Sequence, residues 1–66
     1  MRLTVNGEMR ETPDQATVAD LLALLGIEGR RVAVERNREI APKSLWGEMV
    51  LAEGDELEIV QFVGGG

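Results

Sequence analysis

The sequence predicts an α+β domain in which one helix packs across a mixed β-sheet. Three observations predict this class: apolar and polar residues alternate near both ends of the chain, one stretch between them has helical spacing, and 66 residues suit one small domain. Apolar residues make up 44% of the chain and charged residues 29%, as in ordinary globular proteins, so disorder is not expected.

The first element is predicted to be a β-hairpin. Met1, Leu3 and Val5 fall on one face of a strand, and polar residues fall on the other. Asn6-Gly7 favours a tight turn because both residues tolerate positive φ. A second strand over Met9–Thr12 would complete the hairpin.

The second element is predicted to be a helix that begins after Thr17. Thr17 is a good N-cap, and Asp20 three residues later approaches a capping box. One face of this helix is apolar and should pack on the sheet: Val18, Leu21, Leu22 and Leu25. Gly26 is well placed to end the helix.

Residues 30–40 alternate again and predict one further strand. Val32 and Val34 should face the helix, and Ala33 and Glu35 should face away. An irregular crossover follows, with one short helical turn around Leu45 and Trp46, where Trp46 is expected to fill the core.

The last strand is predicted over residues 57–63, after a turn at Gly54-Asp55. Leu57 and Ile59 should lie on one face, and Val60 and Phe62 on the other. The order of hairpin, helix, strand, crossover and strand is the β-grasp arrangement, with the first and last strands central and parallel. We expect residues 1–63 to form this domain and residues 64–66 to form a flexible glycine tail.

Composition excludes several functions. The chain has no cysteine and no histidine, so thiolate metal sites and histidine bases are absent. A net charge of −5 argues against nucleic acid and is compatible with docking on a basic protein surface. No run is long and apolar enough for a membrane span, and the N-terminus lacks a signal-peptide core, which predicts a cytoplasmic protein. We expect no metal site and no catalytic residue in the chain.

The closing stretch "VQFVGGG" can be interpreted in two ways. A glycine run is often a linker, but here Gly64, Gly65 and Gly66 directly follow an apolar strand. Three extended glycines span roughly 10 Å, enough to carry a carboxylate into a narrow pocket of a partner. An ionised carboxylate is a poor electrophile, and it becomes reactive once it is activated, for example as an acyl-adenylate.

Five stretches together resemble the ThiS family of sulfur carriers: "LTVNGE", "ATVADLL", "VAVERNREIAPKS", "LAEGDELEIV" and "VGGG". The resemblance covers essentially the whole chain. It implies that an E1-like enzyme, using ATP and magnesium, adenylates Gly66, with Gly65 and Gly64 extending the tail. It also implies that a sulfur donor, a cysteine desulfurase or its equivalent, supplies sulfur for a Gly66 thiocarboxylate. Thiazole synthase would then use this sulfur in thiamine biosynthesis. The family often has arginine where this chain has Lys43.

Three alternatives remain open from the sequence. The same chemistry could serve molybdopterin, as in the small subunit of molybdopterin synthase. The chain could be a ubiquitin-like modifier, or a plain interaction domain with an inert tail. We further expect Ala33, Val60 and Phe62 to form the partner-binding surface, because alternation places them opposite the core; the competing interpretation is that they tuck under the crossover.

Overall fold

The computed structural model describes residues 1–62, which form a five-stranded mixed sheet crossed by one α-helix. The strands are β1 (Arg2–Val5), β2 (Glu8–Glu11), β3 (Val32–Arg36), β4 (Glu39–Ile40) and β5 (Glu56–Gln61), and the helix is α1 (Val18–Leu24). The order across the sheet is β2-β1-β5-β3-β4. β1 and β5 are parallel neighbours inside the sheet, and the other pairs are antiparallel. The predicted α+β β-grasp arrangement is therefore confirmed.

The first hairpin closes at the predicted turn. Asn6 and Gly7 have φ of 50° and 82°, as a tight two-residue hairpin turn requires. Val5 lies opposite Glu8, so the second strand begins one residue earlier than predicted. This hairpin brings Leu3 and Val5 to the core side of the sheet, where both are buried.

The helix begins at the predicted cap. The Thr17 hydroxyl oxygen accepts a hydrogen bond from the Asp20 N–H at 3.1 Å, and the Asp20 carboxylate accepts one from the Thr17 N–H at 2.9 Å. This capping box satisfies two backbone donors that the helix itself leaves unpaired. Gly26 follows the helix with φ of 71°, the left-handed conformation that commonly ends a helix.

Residues 30–40 were predicted to form one strand, but they contain two, β3 and β4, so that prediction was wrong. Asn37 and Arg38 have φ of 51° and 70° and reverse the chain between β3 and β4. Ile40 consequently lies opposite Glu35 in an antiparallel pair. Asparagine adopts this left-handed conformation readily, whereas arginine seldom does, so the sequence carries only half of the usual turn signal.

The crossover is anchored by one aromatic side chain. A 3-10 helix, Lys43–Leu45, leads into Trp46, which is only 6% exposed. The indole Nε1 donates a hydrogen bond of 2.7 Å to the carbonyl oxygen of Ala41. Both the short helical turn and the core position of Trp46 were predicted. Burying the ring with its N–H paired avoids the cost of an unsatisfied donor.

The core lies between α1, the crossover and one face of the sheet. Its buried members are Leu3, Val5, Val18, Leu21, Leu22, Val34, Ala41, Trp46, Leu51, Leu57 and Ile59. Leu25 and Val32 pack against this cluster but are only partly buried. In the part of the chain that the structure describes, no helix has the length and apolar character needed to cross a membrane.

Candidate functional site

The end of β5 presents apolar side chains to solvent. Leu57 and Ile59 face the core with 1% and 7% exposure, whereas Val60 and Phe62 are 52% and 58% exposed. Ala33 lies opposite Val60 in the pairing of β3 with β5 and is half-buried. We call Ala33, Val60 and Phe62 the apolar patch. It lies on the open face of the sheet, the face opposite α1, and its large side chains are not covered by the crossover.

Two further apolar side chains share the open face. Ile40 lies opposite Glu35 and is 69% exposed, and Met9 lies opposite Thr4 and is 67% exposed. The sequence analysis missed Ile40, because its place on the open face depends on the hairpin between β3 and β4, which was not predicted. Met9 was predicted as a strand residue without a role, although alternation from Val5 through the turn could have placed it.

Acidic side chains border the apolar patch. Glu58 lies directly opposite Glu35, and Glu56 lies two residues earlier on β5. All three are exposed, as predicted, and they line a cleft on the open face together with Arg38. Like charges directly opposite one another on a sheet repel, so a basic surface that approaches this face would relieve the repulsion.

Asp55 holds the start of β5 and is more than the turn residue that was expected. Its carboxylate accepts hydrogen bonds from Arg36 Nε at 2.9 Å, from Asn37 Nδ2 at 3.0 Å and from the Ala52 N–H at 2.8 Å. Arg36 Nη2 also lies 2.8 Å from this carboxylate. Burial alone would raise the pKa of Asp55, but these hydrogen bonds and the charge of Arg36 together hold that pKa below its ordinary value.

Asn6 holds the middle of β5 from the other side. Its side-chain oxygen accepts a hydrogen bond of 2.7 Å from the Ile59 N–H, and its Nδ2 donates one of 3.1 Å to the Ile59 carbonyl oxygen. The side-chain amide therefore acts as a peptide group and extends the pairing between β1 and β5 by one step. The sequence predicted that Asn6 would adopt positive φ in the turn, but it did not predict that the Asn6 side chain would bind Ile59.

The predicted tail falls outside the described residues. Gly64, Gly65 and Gly66 lie beyond Phe62, the last residue that the structure describes, so their predicted role and the proposed domain boundary at residue 63 stay predictions. Among residues 1–62, no group of three or more acidic side chains is arranged to hold a metal ion. The sequence expectation of no metal site remains an expectation.

A family model and curated relatives match the chain. The model of the ThiS family matches residues 3–66. The chain is 52% identical over 66 residues to a thiazole synthase of Paramagnetospirillum magneticum, and it spans only 20% of the length of that protein. It is 45% identical over 65 residues to the sulfur carrier protein ThiS of Bacillus subtilis. That alignment covers 97% of this chain and 98% of the Bacillus protein.

A solved structure has the same fold. The crystal structure of a thiamine biosynthesis protein (ThiS) from Geobacter metallireducens superimposes on this chain with a TM-score of 0.86 and 32% sequence identity. The match covers 100% of both chains. The strand order and the position of the helix are therefore those of a solved protein with related sequence.

Proposed function

The chain belongs to the ThiS family, and on that premise we propose that it is a sulfur carrier for the thiazole of thiamine. One observation carries this proposal: the family match extends through residue 66 and so includes the glycines as well as the folded body. The likeness to the Bacillus subtilis sulfur carrier protein over nearly the whole of both chains supports it.

The proposed working group is the carboxylate of Gly66. It is ionised at neutral pH and does not react with nucleophiles until it carries a leaving group. In the proposed sequence, an E1-like enzyme uses ATP and magnesium to join the carboxylate to AMP with release of pyrophosphate. The outer sulfur of a persulfide on the donor, a cysteine desulfurase or its equivalent, then attacks the carbonyl carbon and displaces AMP, which leaves an acyl disulfide between Gly66 and the donor. A thiol reductant cleaves the S–S bond of this intermediate by disulfide exchange and releases the sulfur on Gly66. The product is a thiocarboxylate on Gly66, and no residue of the chain itself acts as acid or base.

Gly65 and Gly64 have a steric role in this proposal. A residue without a Cβ lets the main chain pass through a channel too narrow for any side chain. The adenylating enzyme can then enclose the reacting carboxylate and keep water away from the acyl-adenylate.

The apolar patch is the proposed docking surface for both enzymes. Val60 and Phe62 are exposed on β5 immediately before the glycines, so an enzyme that binds them lies beside the tail. Phe62 is also held in place, because its N–H donates a hydrogen bond of 2.8 Å to the Arg31 carbonyl oxygen. An aromatic side chain positioned in this way can anchor an interface.

Thiazole synthase is the proposed acceptor of the sulfur. The 52% identical relative is a thiazole synthase of which this chain spans a fifth, so a similar sequence occurs within a protein of that name. This favours thiazole synthase over molybdopterin synthase as the second partner. The chemistry would take place in the cytoplasm.

The mass of the intact chain tests the proposal. The chain would be incubated with ATP, magnesium, a cysteine-derived sulfur source, a thiol reductant and the E1-like enzyme from the same genome. A thiocarboxylate raises the mass by the difference between one sulfur and one oxygen atom, whereas a ubiquitin-like modifier gains the mass of a whole protein. Omitting ATP, or deleting Gly66, should abolish the change. An unmodified chain in the complete mixture would contradict the proposal.

Deleting Gly65 and Gly66 supplies a second control. The free energy of unfolding should change by less than about 0.5 kcal/mol, as for other surface changes, while sulfur transfer stops. A large loss of stability would show that the glycines belong to the folded body.

A further inference from the structure

The main chain of β5 is hydrogen bonded alternately on its two sides. The Phe62 N–H donates to the Arg31 carbonyl oxygen, and Val60 lies opposite Ala33 two residues earlier. Hydrogen-bonded and non-hydrogen-bonded pairs alternate along an antiparallel ladder, so Gln61 and Val32 form a non-hydrogen-bonded pair. The N–H and carbonyl of Gln61 therefore point away from β3, toward the side of the sheet that holds β1.

On that side, the hydrogen bonds between β1 and β5 end before they reach Gln61. β1 pairs with β5 through Thr4–Glu56 and Val5–Leu57, and the Asn6 N–H donates to the Leu57 carbonyl oxygen at 2.9 Å. The Asn6 side chain then holds Ile59, after which the chain turns away into β2. The pairing of β1 with β5 does not reach Gln61, none of the turn and loop hydrogen bonds within residues 1–62 involves its main chain, and the residue is exposed.

A cleft lies next to this open position on the helix side of the sheet. It has a volume of about 290 Å³, and its walls include Asn6, Ile59, Leu25 and Ile27. Leu25 and Ile27 are only partly buried, so the helix end contributes apolar surface that residues 1–62 leave partly exposed. A strand added beside Gln61 would point every second side chain toward this cleft.

We propose that the adenylating enzyme adds an extended segment beside β5 at Gln61, continuing the line of β1 beyond the place where the hairpin turns. Its main chain pairs with the N–H and carbonyl of Gln61, and one of its apolar side chains enters the cleft between Leu25 and Ile27. Its neighbouring side chains lie on the open face beside Val60 and Phe62. This choice of partner rests on the proposed function, because that enzyme must hold the chain directly before the glycines.

An extended strand fits the open position beside Gln61 better than a helix does. A free donor and acceptor on one residue bind an extended main chain, and pockets for alternate side chains select its sequence. A helix could cover the apolar cleft but would leave the Gln61 N–H and carbonyl unpaired, at a cost in free energy.

Amide hydrogen exchange tests the proposal directly. In the free chain, the amides of Val60 and Phe62 should exchange slowly and the amide of Gln61 between them should exchange fast, because Gln61, unlike its two neighbours, has no acceptor among residues 1–62. In the complex with the E1-like enzyme, Gln61 should become protected at least tenfold. The amide of Phe62 is the internal control, since its bond to Arg31 is present in both states.

A matched pair of variants provides the second measurement. Gln61→Pro removes the N–H that faces the open position and breaks no internal hydrogen bond, whereas Gln61→Ala keeps the N–H and removes only the side chain. The proline variant should bind the enzyme about tenfold more weakly, as expected for the loss of one well-placed hydrogen bond. The alanine variant should bind within twofold of the parent.

The outcomes separate this proposal from the proposed function. If Gly66 is thiocarboxylated while the Gln61 amide exchanges in the complex as fast as in the free chain, the added strand is wrong and the function stands. Equal affinities for both variants and the parent would also overturn it. If the enzyme neither binds nor modifies the chain, both proposals fail. Should Gln61→Pro fail to fold, the exchange measurement on the parent chain still decides.

Discussion

The two ends of β5 differ in what holds them. At the start, Leu57 is paired with β1 and β3, and Asp55 binds Arg36 and Asn37 through its side chain. At the end, pairing continues only to β3, and Val60 and Phe62 face solvent. The same six-residue strand is therefore a structural element at one end and the proposed binding surface at the other.

In the proposed function, this difference lets the contacts at the start of β5 direct the end of the strand toward a partner. Side-chain contacts fix the direction and register of β5 from its start, and Asn6 holds the register as far as Ile59. Val60 pairs with Ala33 of β3 and the Phe62 N–H bonds to Arg31, so both residues continue in that direction while their side chains face solvent.

Leu57→Ala should destabilise the fold by about 2–5 kcal/mol, because it leaves a cavity where a side chain is 1% exposed. Val60→Ala is the matched control on the same strand, and it should change the free energy of unfolding by less than about 0.5 kcal/mol. Urea denaturation measures both. If the two variants lose similar stability, the two ends of β5 do not differ as described.

Phe62→Ala should weaken docking by about 2 kcal/mol, roughly thirtyfold in affinity, because it removes the exposed aromatic anchor. Calorimetric titration with the adenylating enzyme and with thiazole synthase, at two salt concentrations, measures the effect. The melting temperature should stay close to that of the parent. Unchanged affinity for both enzymes would remove the apolar patch from the proposed interface.

Asp55→Asn should destabilise the fold by about 1–3 kcal/mol, because the charge-assisted hydrogen bonds to Arg36 are weakened while the site stays partly buried. The measurement is the free energy of unfolding at pH 7, with Glu56→Gln as an exposed control on the next residue. Equal losses for the two variants would show that the Asp55 contacts contribute nothing of their own.

The contribution of Asp55 should also depend on pH. Its folded-state pKa is lowered, so the unfolded chain binds the proton more readily. The stabilisation is complete above the unfolded value of about 3.9 and is lost as the pH falls through the lower folded value. The difference in stability between the parent and Asp55→Asn should therefore shrink between about pH 5 and pH 2. A difference that stays constant over this range would contradict the sign of the shift.

Arg38→Gly should stabilise the fold by about 1 kcal/mol, because φ of 70° strains a residue that has a Cβ. The mirror experiment is Gly7→Ala at the equivalent turn position of the first hairpin, where φ is 82° and nothing lies within 4 Å of an added Cβ. That substitution should cost a similar amount through φ alone. Thermal denaturation of both variants tests the pair, and a neutral Arg38→Gly would show that the second turn is not strained.

Most of the fold was predictable because its signals are local. The capping box at Thr17 and the turn at Asn6-Gly7 each depend on residues that are only a few positions apart in the sequence. The alternation on β5 was also enough to separate Ile59 from Phe62. These patterns predict which side chains are buried without any knowledge of which strands are neighbours.

The rest could not be predicted because it depends on distant partners. Arg38 occupies a turn position where glycine is usual, so the second hairpin and the place of Ile40 were missed. Asp55 meets Arg36 across 19 positions of sequence, and Asn6 meets Ile59 across 53. No spacing rule predicts such pairs from one sequence.

The buried indole of Trp46 gives the chain an intrinsic fluorescence signal for unfolding. The chain has one tryptophan and no tyrosine, so near-ultraviolet excitation at long wavelength reaches a single fluorophore. The indole is 6% exposed and hydrogen bonded to Ala41, which should give blue-shifted emission that moves to the red on unfolding. It lies in the core and not on the open face, so binding there should leave its emission unchanged. A change in this emission therefore reports unfolding and not docking on the open face, without an added label.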